Sequence, residues 1–182
     1  MKSSRLNADE AVLVVVDMQE RLLPAIHNQE SVKANTALLM HAARTLSVPV
    51  IVTTQYLKGL GPVVGELSAL NPTAPIDKMT FSCFGSPEFR AALDATGRRT
   101  ILLCGVEAHI CVLQTGLDSL AAEYSVHLVT DATGSRAPAN AVLGHRRLEG
   151  AGALLSSAEM AVYEMLGRAG TPAFKAMLPH FK

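Results

Sequence analysis

Residues 101–115 read ILLCGVEAHICVLQT, and the succession of an apolar run, a glycine, a polar turn and a new apolar stripe decides the fold. Ile101, Leu102, Leu103 and Cys104 leave no polar face, which suits a strand covered on both sides in a parallel sheet. Gly105 interrupts the run. Beyond the turn, Ile110, Leu113, Leu117 and Leu120–Ala121 recur near helical spacing with Gln114 and Asp118 between them, so Cys111 falls in a first helical turn. A thiol there lies beside backbone N–H groups that lack intrahelical partners and at the positive end of the helix dipole, which favours the thiolate. Cys111 is therefore a candidate nucleophile. A cysteine can also be no more than a small buried hydrophobe, and what separates the two is whether a base and a cation arrive at the same place.

Outward from this stretch, residues 11–16 read AVLVVV and stop sharply at Asp17, a β-branched run that fits a buried parallel strand ending in a carboxylate. A short helical turn is expected over 21–26 and a helix over 31–46, where Val32, Leu38–Leu39, Ala42–Ala43 and Leu46 form one stripe. Pro49 opens a second strand, VIVTT. From Gln55 to Ile76 glycines and prolines erase any period, so the stretch reads as a long loop with room for one short helix, and loops of that length often cover a site. Asp77 and Lys78 close a short edge strand. Ser86 caps, and Pro87 opens, a helix to about Thr96. A strand over 125–131, a helix from Pro138 to about Gly150 and a strand over 153–155 follow the central pair. A helix capped by Ser157 then reaches about Leu166, and a terminal helix starts at Thr171. The alternation predicts a single α/β domain over residues 1–182, three-layered and doubly wound around a mainly parallel six-stranded sheet.

With 49% hydrophobic and 18% charged residues, the chain fills one core and leaves few charges for its surface, so self-association as a homo-oligomer is expected. Sixteen basic residues balance 16 acidic ones, which leaves no global field to attract nucleic acid or an anionic membrane. The apolar runs are too short to span a bilayer, and no secretory apolar segment precedes the first strand. Cys83, Cys104 and Cys111 are odd in number and form no C-x-x-C pair, which argues for a cytoplasmic, reducing environment. Phosphate-cradling glycine loops are absent, Gly59-Leu60-Gly61 being too short and following the wrong element.

A doubly wound sheet binds ligands beyond the carboxyl ends of its strands, where strand order reverses. With the order 3-2-1-4-5-6, Asp17 after the first strand, Lys78 at the end of the third and Cys111 after the fourth meet at that reversal. Singly, Asp17 reads as a helix cap and Lys78 as a solvated surface lysine. Jointly they supply a base, a cation and a nucleophile. The segments VVVDMQ, DKMTFSCF and CGVEAHICVLQT resemble, in order and spacing, the signature segments of the isochorismatase-like cysteine hydrolases, and the likeness spans nearly the whole chain. TTQYLKGLGPVV and the ending of the chain are similar to the small isochorismatase domain-containing proteins of that family.

The resemblance implies roles. Cys111 would be the nucleophile of a covalent mechanism, Asp17 the general base that takes and returns its proton, and Lys78 the cation that lowers the thiol pKa and orients the carboxylate. A non-proline cis peptide would fall at Val106–Glu107 and aim the N–H groups of Glu107 and Cys111 at one point, an oxyanion hole worth about 3 kcal/mol of barrier per donor. Gln19, Tyr56, Phe81 and His109 are the candidate substrate contacts. Metal-binding nicotinamidases of the family carry an Asp and two His after the second strand, whereas residues 53–58 here read TTQYLK and no histidine follows before His109. No zinc site, and no cofactor, is expected, and nicotinamide is disfavoured. Isochorismate, a dianion, would want clustered cations, and the long loop offers Lys58. The expected reaction is hydrolysis of a small amide or related C–N bond; the alternative is a non-catalytic or redox-sensing oligomeric interaction module with a low-pKa Cys111.

Overall fold

The computed structural model of the chain describes residues 5–181. Among them six strands, β1 (Ala11–Val16), β2 (Val50–Gln55), β3 (Ile76–Lys78), β4 (Thr100–Val106), β5 (Ser125–Gly134) and β6 (Leu154–Ser156), pair in the order 3-2-1-4-5-6. Every pair is parallel, so each strand must be reached by a crossover, and helices supply it. These are α1 (Gln29–Thr45), α2 (Leu57–Leu60), α3 (Gly65–Ser68), α4 (Pro87–Ala95), α5 (Cys111–Ala121), α6 (Pro138–Gly150), α7 (Ala158–Leu166) and α8 (Pro172–Met177).

The period of two in the strands divides the core. Leu13 and Val15 of β1 pack with Leu39, Ala42, Val162 and Met177 from α1, α7 and α8, while Val12, Val14 and Val16 pack with Phe89, Leu93, Val112 and Leu148 from α4, α5 and α6. All six residues of β1 are buried, which explains why its sequence carries no polar alternation. The helix starts follow capping chemistry: the hydroxyls of Ser86, Ser157 and Thr171 accept the N–H of Phe89, Met160 and Phe174. No helix among the described residues is long and apolar enough to cross a membrane.

The sheet has the expected strand order and is wholly parallel, while three strand boundaries and the content of the long loop differ from the sequence reading. β4 runs through Gly105 to Val106, because the glycine serves a close approach between strands and not a break. Gly105 pairs with Val16, has φ +111, and a Cβ there would lie 2.1 Å from the Val16 carbonyl oxygen. β2 reaches Gln55, whose register partner is Lys78. The loop after it folds into two single-turn helices, α2 and α3, instead of one. β5 continues past Asp131 to Gly134, with a register shift against β4 between Leu103 and Gly105.

Candidate active site

The carboxyl ends of β1, β2 and β3 deliver Asp17, Thr53, Gln55 and Lys78 to one buried cluster beside the start of α5. Asp17 leaves β1 with φ +53, a left-handed turn that an Asp tolerates better than most residues. Its carboxylate accepts from Lys78 Nζ at 2.7 Å through Oδ2 and from Thr53 Oγ1 at 2.8 Å through Oδ1. Both side chains of the ion pair are fully buried. The Lys78 ammonium also donates to Gln55 Oε1 at 2.8 Å, and the same oxygen stands 4.0 Å from Cys111 Sγ. Asp17, Lys78 and Cys111, distant in sequence, thus share one site.

Lys78 lowers the Cys111 thiol pKa as expected, but burial and Asp17 outweigh it. Burial pushes the thiol pKa up, the Asp17 carboxylate pushes it further, and the Lys78 charge, already engaged by Asp17, does not compensate. The Cys111 thiol is thus held above its ordinary pKa, with the Asp17 carboxylate beside it. Burial works against the Lys78 ammonium too, yet Asp17 outweighs it and the lysine pKa is raised. Cys83, which lies behind the pair with its N–H on Thr115 Oγ1 and its thiol 3.9 Å from Thr53 Oγ1, is pushed up to about 11 by burial.

The turn between β4 and α5 is held from several sides. The Val106–Glu107 peptide is cis. Glu107 accepts on its carbonyl from the N–H groups of Ile110 and Val112, and Ala108 N–H donates to Gly134 at the end of β5. No side chain caps α5 at Ile110. The Glu107 carboxylate, 3% exposed, is gripped by Arg136 through its main-chain N–H at 2.9 Å and its guanidinium at 2.6 Å. Burial alone would raise the Glu107 pKa; the Arg136 hydrogen bonds win and lower it. Gly144 of α6 abuts the turn closely enough that a Cβ would sit 2.6 Å from the Ala108 carbonyl oxygen.

The four candidate substrate contacts fare differently. Gln19 is fully buried and its amide is committed to main chain, accepting from Gln55 N–H and donating to the carbonyls of Gln55 and Gly61. It serves the scaffold, and the side chain beside the sulfur is Gln55. An uncharged residue at the edge of a glycine-rich loop carried no signal for this; only the Gln55–Lys78 register reveals it. Tyr56, with φ +43, and Phe81 are exposed on the segments after β2 and β3. His109 is half-buried, its Nδ1 2.9 Å from Ser135 Oγ. Among the described residues no group of three or more His, Cys, Asp or Glu is placed to hold a metal ion.

The isochorismatase domain model matches residues 11–160. The chain is 39% identical to a secreted isochorismatase effector of Phytophthora sojae, over 95% of this chain and 85% of that one. It is 38% identical to isochorismatase domain-containing protein 2 of Bos taurus, over 94% and 82%. Among solved structures, the MAR1 ribonuclease of Caenorhabditis elegans superposes with a TM-score of 0.92 at 34% identity, covering 98% of this chain and 92% of that one. YcaC of Pseudomonas aeruginosa, with hexane-2,5-diol and covalent acrylamide, gives 0.91 at 28%, covering 99% and 93%. YcaC of Escherichia coli, described as an octameric hydrolase of unknown specificity, gives 0.92 at 26%, covering 99% and 92%. The matched domain model over most of the chain, and relatives well above 30% identity along nearly its whole length, support a hydrolase role and place the chain in the isochorismatase domain family.

Proposed function

We propose that the protein is a cysteine hydrolase that cleaves a small amide or related C–N bond through a thioester on Cys111. The observation that carries this reading is the Cys111 thiol in one buried cluster with the Asp17 carboxylate, which Lys78 and Thr53 hold in place. As the sulfur attacks the carbonyl carbon, its proton passes to Asp17 and the S–C bond forms. The resulting oxyanion faces the N–H groups of Glu107 and Cys111, at a helix start that no side chain caps. Asp17 returns the proton to the leaving nitrogen as the C–N bond breaks. It then takes a proton from water, which attacks the thioester; the C–S bond breaks and the sulfur recovers its proton. Tyr56, Phe81 and His109 surround the approach in this reading. Lys78 stays charged throughout and keeps Asp17 oriented.

Three free, buried thiols are consistent with a reducing compartment such as the cytoplasm. The covalent acrylamide carried by the Pseudomonas relative is in keeping with a nucleophile in this fold, and the octameric Escherichia coli relative supports a homo-oligomer. A redox sensor needs an accessible thiolate, and the raised thiol pKa of a 5% exposed Cys111 speaks for hydrolysis instead. The ribonuclease name of the Caenorhabditis relative belongs to that protein; the site cation here, Lys78, is buried and already paired. Mass spectrometry during incubation with a panel of amides should detect a transient acyl adduct on Cys111, absent in Cys111→Ala, while light scattering gives a mass above that of one chain. Hydrolysis retained by Cys111→Ala, or RNA cleavage without any adduct, sinks the covalent amide mechanism.

A further inference from the structure

Gln55 does more in this cluster than fill space. Its main chain is clamped from both directions by the Gln19 amide, with N–H to Oε1 at 2.7 Å and carbonyl to Nε2 at 3.1 Å. Its own Nε2 donates to the Met79 carbonyl at 2.9 Å. These contacts leave one orientation for the side-chain amide, because turning it over would point N–H at an ammonium and oxygen at a carbonyl oxygen. Oε1 therefore faces inward, where it accepts one Lys78 N–H at 2.8 Å and the Cys111 thiol at 4.0 Å. The other charged or titratable groups around the sulfur are Asp17 from the end of β1, Lys78 from β3 and Cys83 from the turn after β3.

From this geometry, and resting on the hydrolase reading above, we propose that Gln55 is a positioning residue whose Oε1 accepts from both the Lys78 ammonium and the Cys111 thiol, and so keeps the proton on sulfur until substrate arrives. Deprotonation of Cys111 would leave Oε1 without the S–H it accepts and set a thiolate against a carbonyl oxygen, whereas the Lys78 ammonium is shared between Oε1 and the Asp17 carboxylate. The proton then remains on sulfur, available to the base at the moment of attack, and the resting site presents little thiolate to oxidants.

The pH dependence of iodoacetamide labelling at Cys111, read by mass spectrometry, tests this without a known substrate. Gln55→Met keeps the bulk but removes the acceptor, and its labelling midpoint should fall by about one pH unit, making labelling near neutral pH about tenfold faster. Gln55→Glu puts a second carboxylate on the lysine and should raise the midpoint by a comparable amount. A residue that merely supports the fold would change thermal stability and leave both midpoints in place. If the Gln55 variants keep the wild-type midpoint, or Gln55→Met raises it, while Asp17→Asn still lowers it, the Gln55 proposal fails and the shared site stands. If none of the three variants moves the midpoint, the shared site itself is wrong. Should Gln55→Glu not fold, Gln55→Met decides alone.

Discussion

At the scale of single residues, the site depends on charges that oppose one another across a few ångströms. Lys78 and Asp17 are both fully buried, and each compensates the other's desolvation. Removing either partner leaves an uncompensated charge in the interior, so Lys78→Met should destabilise the fold by about 3 kcal/mol, as for other broken buried pairs. Their effects on the sulfur have opposite signs, since the carboxylate adds to burial in raising the thiol pKa and the ammonium opposes both. Lys78→Met should therefore move the Cys111 labelling midpoint up and Asp17→Asn should move it down, each with loss of turnover. Midpoints that shift in the same direction would contradict this arrangement. Asp17 and Lys78 were legible in the sequence because each stands at the abrupt end of a strand-like run. Gln55 and Thr53 were not, since their roles arise from hydrogen bonds that exist only once β2 lies between β1 and β3.

At the scale of elements, the turn from β4 into α5 is irregular and held from several sides. Its anchor is the contact between buried Glu107 and Arg136, whose own side chain is 62% exposed. The Glu107 pKa is lowered on folding because the Arg136 hydrogen bonds overcome burial. The stability this gives is present above the unfolded-state carboxyl pKa and disappears as the pH falls through the folded-state value. Arg136→Ala should cost about 1–2 kcal/mol in urea denaturation at neutral pH, and the gap to wild type should close in acid, below the ordinary carboxylate range. A gap that stays constant down to acid would mean that packing, not the ion pair, anchors the turn. The strands and helices themselves were readable from apolar runs, Ser caps and Pro starts. What misled was Gly105, taken as punctuation because a glycine in isolation looks the same whether it ends a strand or lets Val16 pass at close range.

At the scale of the whole molecule, the parallel sheet follows from the alternation of apolar strands and amphipathic helices, and the position of the site follows from the strand order that the sheet adopts. The order also places the site's components unequally. Cys111 and Asp17 hang from β4 and β1, at the centre of the sheet, whereas Lys78 ends β3, an edge strand of three residues paired on one side to β2. Short edge elements open at lower free energy than central ones, so Lys78, which in the proposed mechanism orients the base, is attached to the part of the sheet that lets go first. Inactivation should then precede melting: on slow heating, activity should be lost reversibly several degrees below the far-UV circular dichroism transition, and amide exchange at 76–78 should outpace that at 101–104. Coincident loss of activity and structure would mean that β3 is secured as firmly as the centre of the sheet. The working temperature of the enzyme is set, on this view, by its weakest strand and not by its core.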